Sequence, residues 1–382
     1  MKKDNKFIVY LILFLSITGC SQNNNENYPL INLNPDVAKK LNFKDWCTQI
    51  KLVPLETNSN SVIADCHKIM KYNNRYFILD VDQRAVFAFN KSGKYLFSTK
   101  NFQGKGPNEY ISLTDFNINY LNKKLEILDP PDYKIKIYDL NGKYNRHISL
   151  SQELLPLESF KALSKDIYLF YTKSTQRKNG NILFYSIKKN KIVQKVGELP
   201  KKAYILPTTM RIPFHNIGNK IHFNYTFPSN SIYCINQRKL NMEKLVEFDF
   251  GKYNFTLEDL PNNRKKDYYQ SFVSIDNEEY AFVFNIIENE TNIFIHFYLK
   301  KKIYIARYEK STKKTLIQYM EFGSLGQLPP PNLVDNNYLY YVCEPGYVKY
   351  YLSDELLDTD SKQNLSDLNI DDNPVIIKYK LQ

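Results

Sequence analysis

Glycine is scarce in this chain, at 12 of 382 residues, and tryptophan occurs once. So little glycine excludes collagen-like and linker-like architectures, and it makes each glycine that does occur worth placing. Cysteine is sparse as well, at positions 20, 47, 66, 234 and 343, with no CxxC pair. No dense disulfide framework and no thiolate zinc site of ordinary spacing is therefore written into the chain. Cys234 and Cys343 lie in apolar, strand-like runs and read as buried free thiols, while Cys47 with Cys66 is the one pair to test for a disulfide. Neither a GxSxG elbow nor an HExxH or HxH spacing is present, which removes the usual signatures of a serine hydrolase and of a compact zinc centre. His67, His147, His215, His222 and His296 are scattered, and packing or hydrogen bonding is expected of them rather than metal binding. No cofactor and no metal is expected.

What is present begins with a short leader. Lys2, Lys3 and Lys6 precede an apolar stretch at 7–17, which falls short of the roughly 20 residues that cross a bilayer and reads as a secretory signal peptide. It ends in Ile17-Thr18-Gly19-Cys20, which resembles the bacterial lipoprotein signal. That resemblance implies a signal at 1–19, acylation of Cys20, and a lipid-anchored protein of the cell envelope, with the outer membrane expected. Periplasmic and surface faces both stay open, because 21–26 carries no strong acidic run. Residues 20–47 are expected to be a lipidated tether and lead-in, and 48–382 the folded domain.

The domain is aromatic, with 31 tyrosines and 24 phenylalanines, as suits a β-rich fold whose sheets pack on aromatic faces. The net charge of +12, from 52 basic and 40 acidic residues, is spread over turns and outer faces such as Lys188-Lys189 and Lys300-Lys301-Lys302. It reads as a solvated surface rather than a stripe for nucleic acid, which an exported protein rarely meets.

The strongest signal is internal repetition. Ile78-Leu79-Asp80, Val86-Phe87-Ala88-Phe89-Asn90 and Gly93-Lys94-Tyr95 recur 49 positions later as Ile127-Leu128-Asp129, Ile135-Lys136-Ile137-Tyr138-Asp139 and Gly142-Lys143-Tyr144. A period near 50 with a glycine turn in each unit is the length of one four-stranded propeller blade. The first blade is expected at 67–99 and the second at 113–149, with later ones centred on 167–187, 220–235, 292–308 and 338–381. The last is split by a polar insertion at 344–373, and another insertion at 254–279 holds a short helix at 257–269. The chain stops one strand short, and 50–55 is the spare. An all-β, six-bladed β-propeller closed by an N-terminal strand that completes the last blade results.

With Val53-Pro54-Leu55-Glu56-Thr57, Gly104-Lys105-Gly106-Pro107-Asn108-Glu109-Tyr110 and the paired repeats on the page, the chain resembles the six-bladed β-propeller lipoproteins of Bacteroides-type bacteria, which in turn resemble NHL-repeat propellers. The resemblance implies a fold and an envelope location. It implies no settled activity, since propellers host binding, scaffolding and catalysis.

The candidate chemistry is thin. Gly104-x-Gly106 lacks the spacing of a phosphate loop and reads as a turn, with Glu109 accepting backbone N–H groups and Tyr110 packing beneath. The pairs Asp80 with Asp82 and Asp129 with Asp132 have the composition of a glycosidase couple, but their repetition at strand ends reads as turn capping. In a propeller the loops joining strands b and c of a blade emerge on the same face as the loops between blades. Asp82, Arg84, Asp132, Tyr133, Lys134, Lys105 and Glu109 should therefore share a rim, with Arg84, Lys105, Glu109 and Tyr133 the candidate ligand-binding set. The favoured reading is a monomeric binding or scaffold module for a glycan, peptide or envelope protein, more a binder than an enzyme. The alternative is a propeller lyase or hydrolase acting on glycans in the central channel.

Overall fold

The computed structural model describes residues 28–172, 180–198, 213–225, 230–256, 280–321 and 330–382. The leader, Cys20, the tether as far as residue 27 and the helix expected at 257–269 lie outside the described residues.

Six separate sheets make up the domain, each an antiparallel meander whose strands are called a to d from the channel outward. Blade 1 comprises Lys68–Tyr72, Arg75–Asp80, Ala85–Asn90 and Tyr95–Ser98. Blade 2 comprises Asp115–Asn119, Lys124–Asp129, Lys134–Tyr138 and Tyr144–Ser149. Blade 3 runs from Ser159–Ala162 through Ile167–Tyr171 and Ile182–Ser186 to Lys191–Val196. Blade 4 begins at Phe214–Ile217 and ends at Asn241–Asp249, and blade 5 begins at Phe282–Glu288 and ends at Lys314–Glu321. Blade 6 holds Leu333–Val334, Tyr338–Cys343 and Val375–Leu381, and its outer strand is Cys47–Pro54 from the other end of the chain. That strand pairs antiparallel with the last one, from Val375↔Pro54 to Leu381↔Cys47. The fold is therefore an all-β, six-bladed β-propeller closed by joining its terminal strands.

The blades form where both faces of a strand can be buried. In Tyr76-Phe77-Ile78-Leu79 of blade 1, Tyr76 and Ile78 face the layer toward blade 6, while Phe77 and Leu79 face the layer toward blade 2. An unbroken apolar run is what a strand sandwiched on both sides requires. Six apolar clusters fill the six gaps between neighbouring blades. Each wholly buried large side chain in them contributes about 1.5–3 kcal/mol.

The repeated turns have a shared cause. The Asn90 carboxamide oxygen accepts from the backbone N–H of Ser92 and Lys94, and the Asp139 carboxylate accepts from Asn141 and Lys143 in the same way. Gly93 and Gly142 then take φ of 83° and 86°, a left-handed conformation that disfavours a side chain. A Cβ on Gly93 would also sit 2.0 Å from the carbonyl oxygen of Pro54 in the closing strand.

The lead-in does more than reach the ring. Leu30–Asn32 adds in parallel to the outer strand of blade 4, and Lys39–Lys40 adds in parallel to that of blade 5, before Cys47–Pro54 completes blade 6. Three consecutive outer edges are thus paired. The edge of the closing strand is covered in turn by the 344–373 insertion, which carries helices at Pro345–Tyr351 and Thr359–Asp367. Ser361 Oγ accepts from Leu52 N–H at 2.9 Å, and Asn364 Nδ2 donates to Leu52 C=O at 3.2 Å. No disulfide joins Cys47, Cys66, Cys234 or Cys343, so the Cys47–Cys66 pair is not formed; the two belong to different interblade clusters.

Candidate functional site

The innermost strands alternate polar and apolar residues. In Asp115-Phe116-Asn117-Ile118-Asn119, Phe116 and Ile118 enter the interblade layer, which leaves Asp115, Asn117 and Asn119 on the other side of the strand. Lys68 of blade 1 and Ser159 and Lys161 of blade 3 alternate in the same way with Ile69 and Phe160. The propeller axis is consequently a polar channel inside an apolar wall.

Its fixed centre is Asp115. One carboxylate oxygen accepts from Lys68 Nζ at 2.7 Å and from the Phe116 N–H, and the other accepts from Ser159 Oγ at 2.7 Å and from the Phe160 N–H. Lys68 also donates to the Phe116 carbonyl and stands over its ring, 5.3 Å from the centroid. Blades 1, 2 and 3 are tied together at one buried carboxylate.

Two further groupings, one half-buried and one buried, link other blades. Lys71 Nζ donates to Asp335 Oδ2 at 2.6 Å and to Tyr340 Oη at 2.7 Å, linking blade 1 to blade 6. Burial alone would raise the Asp335 pKa, but Lys71 and Tyr340 hold it below the ordinary carboxylate value. Glu288 of blade 5 is paired with His222 Nδ1 of blade 4 at 2.7 Å and accepts from Lys310 Nζ at 2.8 Å. These partners likewise overcome burial and keep its carboxyl low.

Lys161 is the exception. It is 6% exposed, and its Nζ stands 5.7 Å from the Tyr120 ring centroid. Burial, reinforced by the nearby charge of Lys68, pushes its pKa down to about 7, so at neutral pH a large fraction is the free amine. Close by, the wholly buried Glu126 accepts from Asn119 and Tyr168, and burial raises its pKa. The carboxyl is pushed up and the ammonium down, so the two environments displace their groups in opposite directions.

Lys161 lines two cavities at the mouth formed by the loops between strands a and b. One, of about 610 Å³, also touches Lys68, Lys71, Tyr120, His215 and Asp335. The other, of about 490 Å³, touches Asn119, Tyr120 and Glu126. At the opposite mouth a cavity of about 320 Å³ is lined by Lys68, Arg84, Asp115, Glu158 and Ser159.

The rim residues anticipated from the sequence sit as follows. Arg84 occupies the b–c turn of blade 1 with φ 51°, is exposed and lines the smaller cavity. Tyr133 occupies the corresponding turn of blade 2, also at φ 51°, and is half-buried. Lys105 is exposed in the loop between those blades. Glu109 in that loop accepts from the Gly106 N–H at 2.7 Å, and a Cβ on Gly104 would lie 2.0 Å from its carboxylate. The glycine loop is thus filled by the chain's own carboxylate. Tyr110 is buried beneath it, its hydroxyl donating to the Arg84 carbonyl at 2.7 Å. Asp129 caps the N–H groups of Ile111 and Ser112, and Asp80 caps those of Ala64 and Gln83.

Sequence reasoning passed over Lys68, Asp115 and Lys161. Their signal was the alternation of charge with apolar residues in segments expected to be innermost strands. No group of three or more His, Cys, Asp and Glu side chains among the described residues is placed to hold a metal.

Comparison with solved structures places the fold among proteins of Bacteroides. A Bacteroides fragilis protein described as exported is 17% identical, with a TM-score of 0.71, covering 92% of this chain and 99% of that one. A DUF4221-family member from Bacteroides vulgatus is 7% identical, with a TM-score of 0.51, covering 88% and 97%. At such identities the likeness is one of fold. Virginiamycin B lyase from Staphylococcus aureus also matches, at 9% identity and a TM-score of 0.43, over 87% of this chain and 99% of that one. The expectation of a binder rather than an enzyme is corrected accordingly: enzymes stand among the chains that match, and a channel holding an acid and a base of displaced pKa gives no ground for a non-catalytic reading. So distant a likeness transfers no activity to this chain. No curated protein sequence matches it. The family described as a domain of unknown function, DUF4934, matches residues 29–380, and the chain belongs to that family.

Proposed function

We propose that this protein is an exported propeller enzyme that acts on glycans at the channel mouth formed by the a–b loops. The observation that carries the reading is Lys161, a buried amine facing a cavity of about 610 Å³ whose other cations already have partners. Between the two reaction classes open to such a channel, elimination fits better than hydrolysis. Glycoside hydrolysis ordinarily needs two carboxyl groups free to act as acid and as base or nucleophile. Glu288 and Asp335, the carboxylates at this cavity, are each engaged by cationic partners. A lyase needs a base poised near neutrality, and Lys161 supplies one. Incubating the protein with a panel of neutral and acidic polysaccharides, and following chain length and new end groups, tests the reading. If no glycan is bound or shortened, it fails.

Location belongs to the same proposal. The basic, short apolar leader ending in Ile17-Thr18-Gly19-Cys20 supports export and acylation of Cys20, with the outer membrane as anchor. Cys20→Ala is expected to abolish incorporation of labelled palmitate and move the protein to the soluble fraction; retention of both label and membrane association would refute the anchor. Arg84, Lys105, Glu109 and Tyr133 are proposed as a second contact surface, on loops at the opposite mouth, for a glycan, a peptide or an envelope protein.

A further inference from the structure

Three lysines project into the channel from the innermost strands, and their charges are not treated alike. Lys68 is matched by Asp115 at 2.7 Å, and Lys71 by Asp335 at 2.6 Å. Lys161 has no ion pair among the described residues: of the carboxylates nearest to it, Asp115 is engaged by Lys68 and Ser159, while Glu126 accepts from Asn119 and Tyr168 through Oε1 alone and has its pKa raised by burial. A lysine so enclosed either meets an anion or gives up its proton.

Resting on the glycan reading above, we propose that the substrate is a uronate-bearing, anionic polysaccharide and that Lys161 is the catalytic base of its β-elimination. A sugar that carries a carboxylate next to a removable proton offers the neutral amine a proton to take, and brings the site the anion it lacks once that proton rests on Lys161. The Lys161 amine takes the proton from the carbon bearing the carboxylate. The electron pair left behind forms a C=C bond as the C–O bond to the neighbouring carbon breaks, and the departing oxygen takes a proton from the lysine ammonium or from water. Nothing is oxidised or reduced, and one unsaturated and one saturated chain end result. Lys71, held by Asp335 and Tyr340, lines the same cavity and adds to its positive field, which favours an anionic substrate over a neutral one. Glu126, wholly buried at the edge of the neighbouring cavity, acts on Lys161 through the field it creates.

The groups that set the pH response come from every blade around the mouth. Blade 1 supplies Lys68 and Lys71, and blade 2 supplies Asp115, Tyr120 and Glu126, with Tyr168 of blade 3 bonded to the last. His215, Glu288 and Asp335 complete the circle from blades 4, 5 and 6. Lys68 opposes protonation of Lys161, and Asp115 and Glu126 favour it. Turnover should rise through neutrality as Lys161 loses its proton.

The test uses the full chain with polygalacturonate, alginate and hyaluronan as acidic probes and dextran as the neutral one. Wild-type protein should generate the ultraviolet absorbance of an unsaturated uronate from an acidic probe and none from dextran. Lys161→Met should lower turnover at least about 100-fold, the scale of a lost general base, with binding changed far less. Lys161→Arg, which keeps the charge and the bulk, should be equally inactive and still bind the acidic probe. Cleavage that survives in Lys161→Arg, or that yields reducing ends without the unsaturated product, would overturn the role of Lys161 while leaving a glycan enzyme in place. Binding and cleavage of dextran alone would overturn the anionic substrate. Failure to bind any probe would remove both the inference and the reading beneath it.

Discussion

Removing the Asp115 carboxylate should be among the most damaging single changes in the channel. Its side chain and that of Lys68 are each 5% exposed, and the two meet at 2.7 Å. In Asp115→Ala the ammonium of Lys68 keeps only the Phe116 carbonyl, while the Ser159 hydroxyl and Phe160 N–H lose their acceptor. Breaking a buried pair in this way costs about 3–5 kcal/mol, most of it the penalty of an uncompensated charge. Taking away both charges is a different perturbation. Lys68→Met with Asp115→Leu strands only the neutral donors, at about 1–3 kcal/mol for each that finds no water, and should be milder than Asp115→Ala alone. The cycle of Lys68→Met, Asp115→Leu and their double mutant should therefore show at least about 2 kcal/mol of coupling, since Asp115→Leu alone strands the ammonium as Asp115→Ala does. Denaturant titration followed by fluorescence of Trp46, the single tryptophan and 5% exposed, measures all of these variants. An Asp115→Ala loss under about 1 kcal/mol, or strict additivity in the cycle, would show that the hub does not hold the blades as described.

Two other outcomes follow from buried polar groups. Burial drives the His296 pKa down to about 3 from 6.5, and neither ring nitrogen has a hydrogen-bond partner among the described residues. A depressed folded pKa means that the unfolded chain binds the proton first. The neutral-histidine contribution is complete above pH 6.5 and is lost as pH falls toward 3, at up to about 1.4 kcal/mol per unit. Stability measured between pH 7 and 5 should drop more steeply in wild type than in His296→Phe, and parallel curves would refute this. Ser361→Ala should cost about 1–3 kcal/mol by leaving the Leu52 N–H of the closing strand without its acceptor, seen as a lower denaturation midpoint; an unchanged midpoint would show that the edge is capped some other way.

Much of the ring was legible because its signals are local. The Asn90 and Asp139 turns repeat the same side-chain caps, and strand b of blade 1 is apolar at successive positions because both its faces are buried. The closing strand was legible from an excess of one strand in the count. The parallel additions at Leu30–Asn32 and Lys39–Lys40 were not, since they pair through backbone groups alone and demand no side-chain pattern. The inner strand of blade 6 has only two residues, too few for any periodicity. Rim loops drew the functional reading because polar residues cluster there in sequence. Charge on the inner strands stays hidden, because whether a lysine is paired depends on which distant carboxylates are already committed.

That dependence sets the division of labour in the channel. Lys68 finds its carboxylate one blade onward, and Lys71 finds its own across the closure, 264 residues away. Glu288 joins blade 4 to blade 5 through His222. These pairs lie at three of the six seams of the ring, so their charges are spent on holding neighbouring blades in register. A group available for proton transfer must escape such pairing and still remain buried enough to titrate near neutrality. Lys161 meets both conditions: its partners have been taken by neighbouring seams, and the same crowding that excludes an acid from it supplies the cation, Lys68, that helps to lower its pKa. The binding of the blades and the reactivity proposed for the channel therefore follow from a single distribution of charges around it.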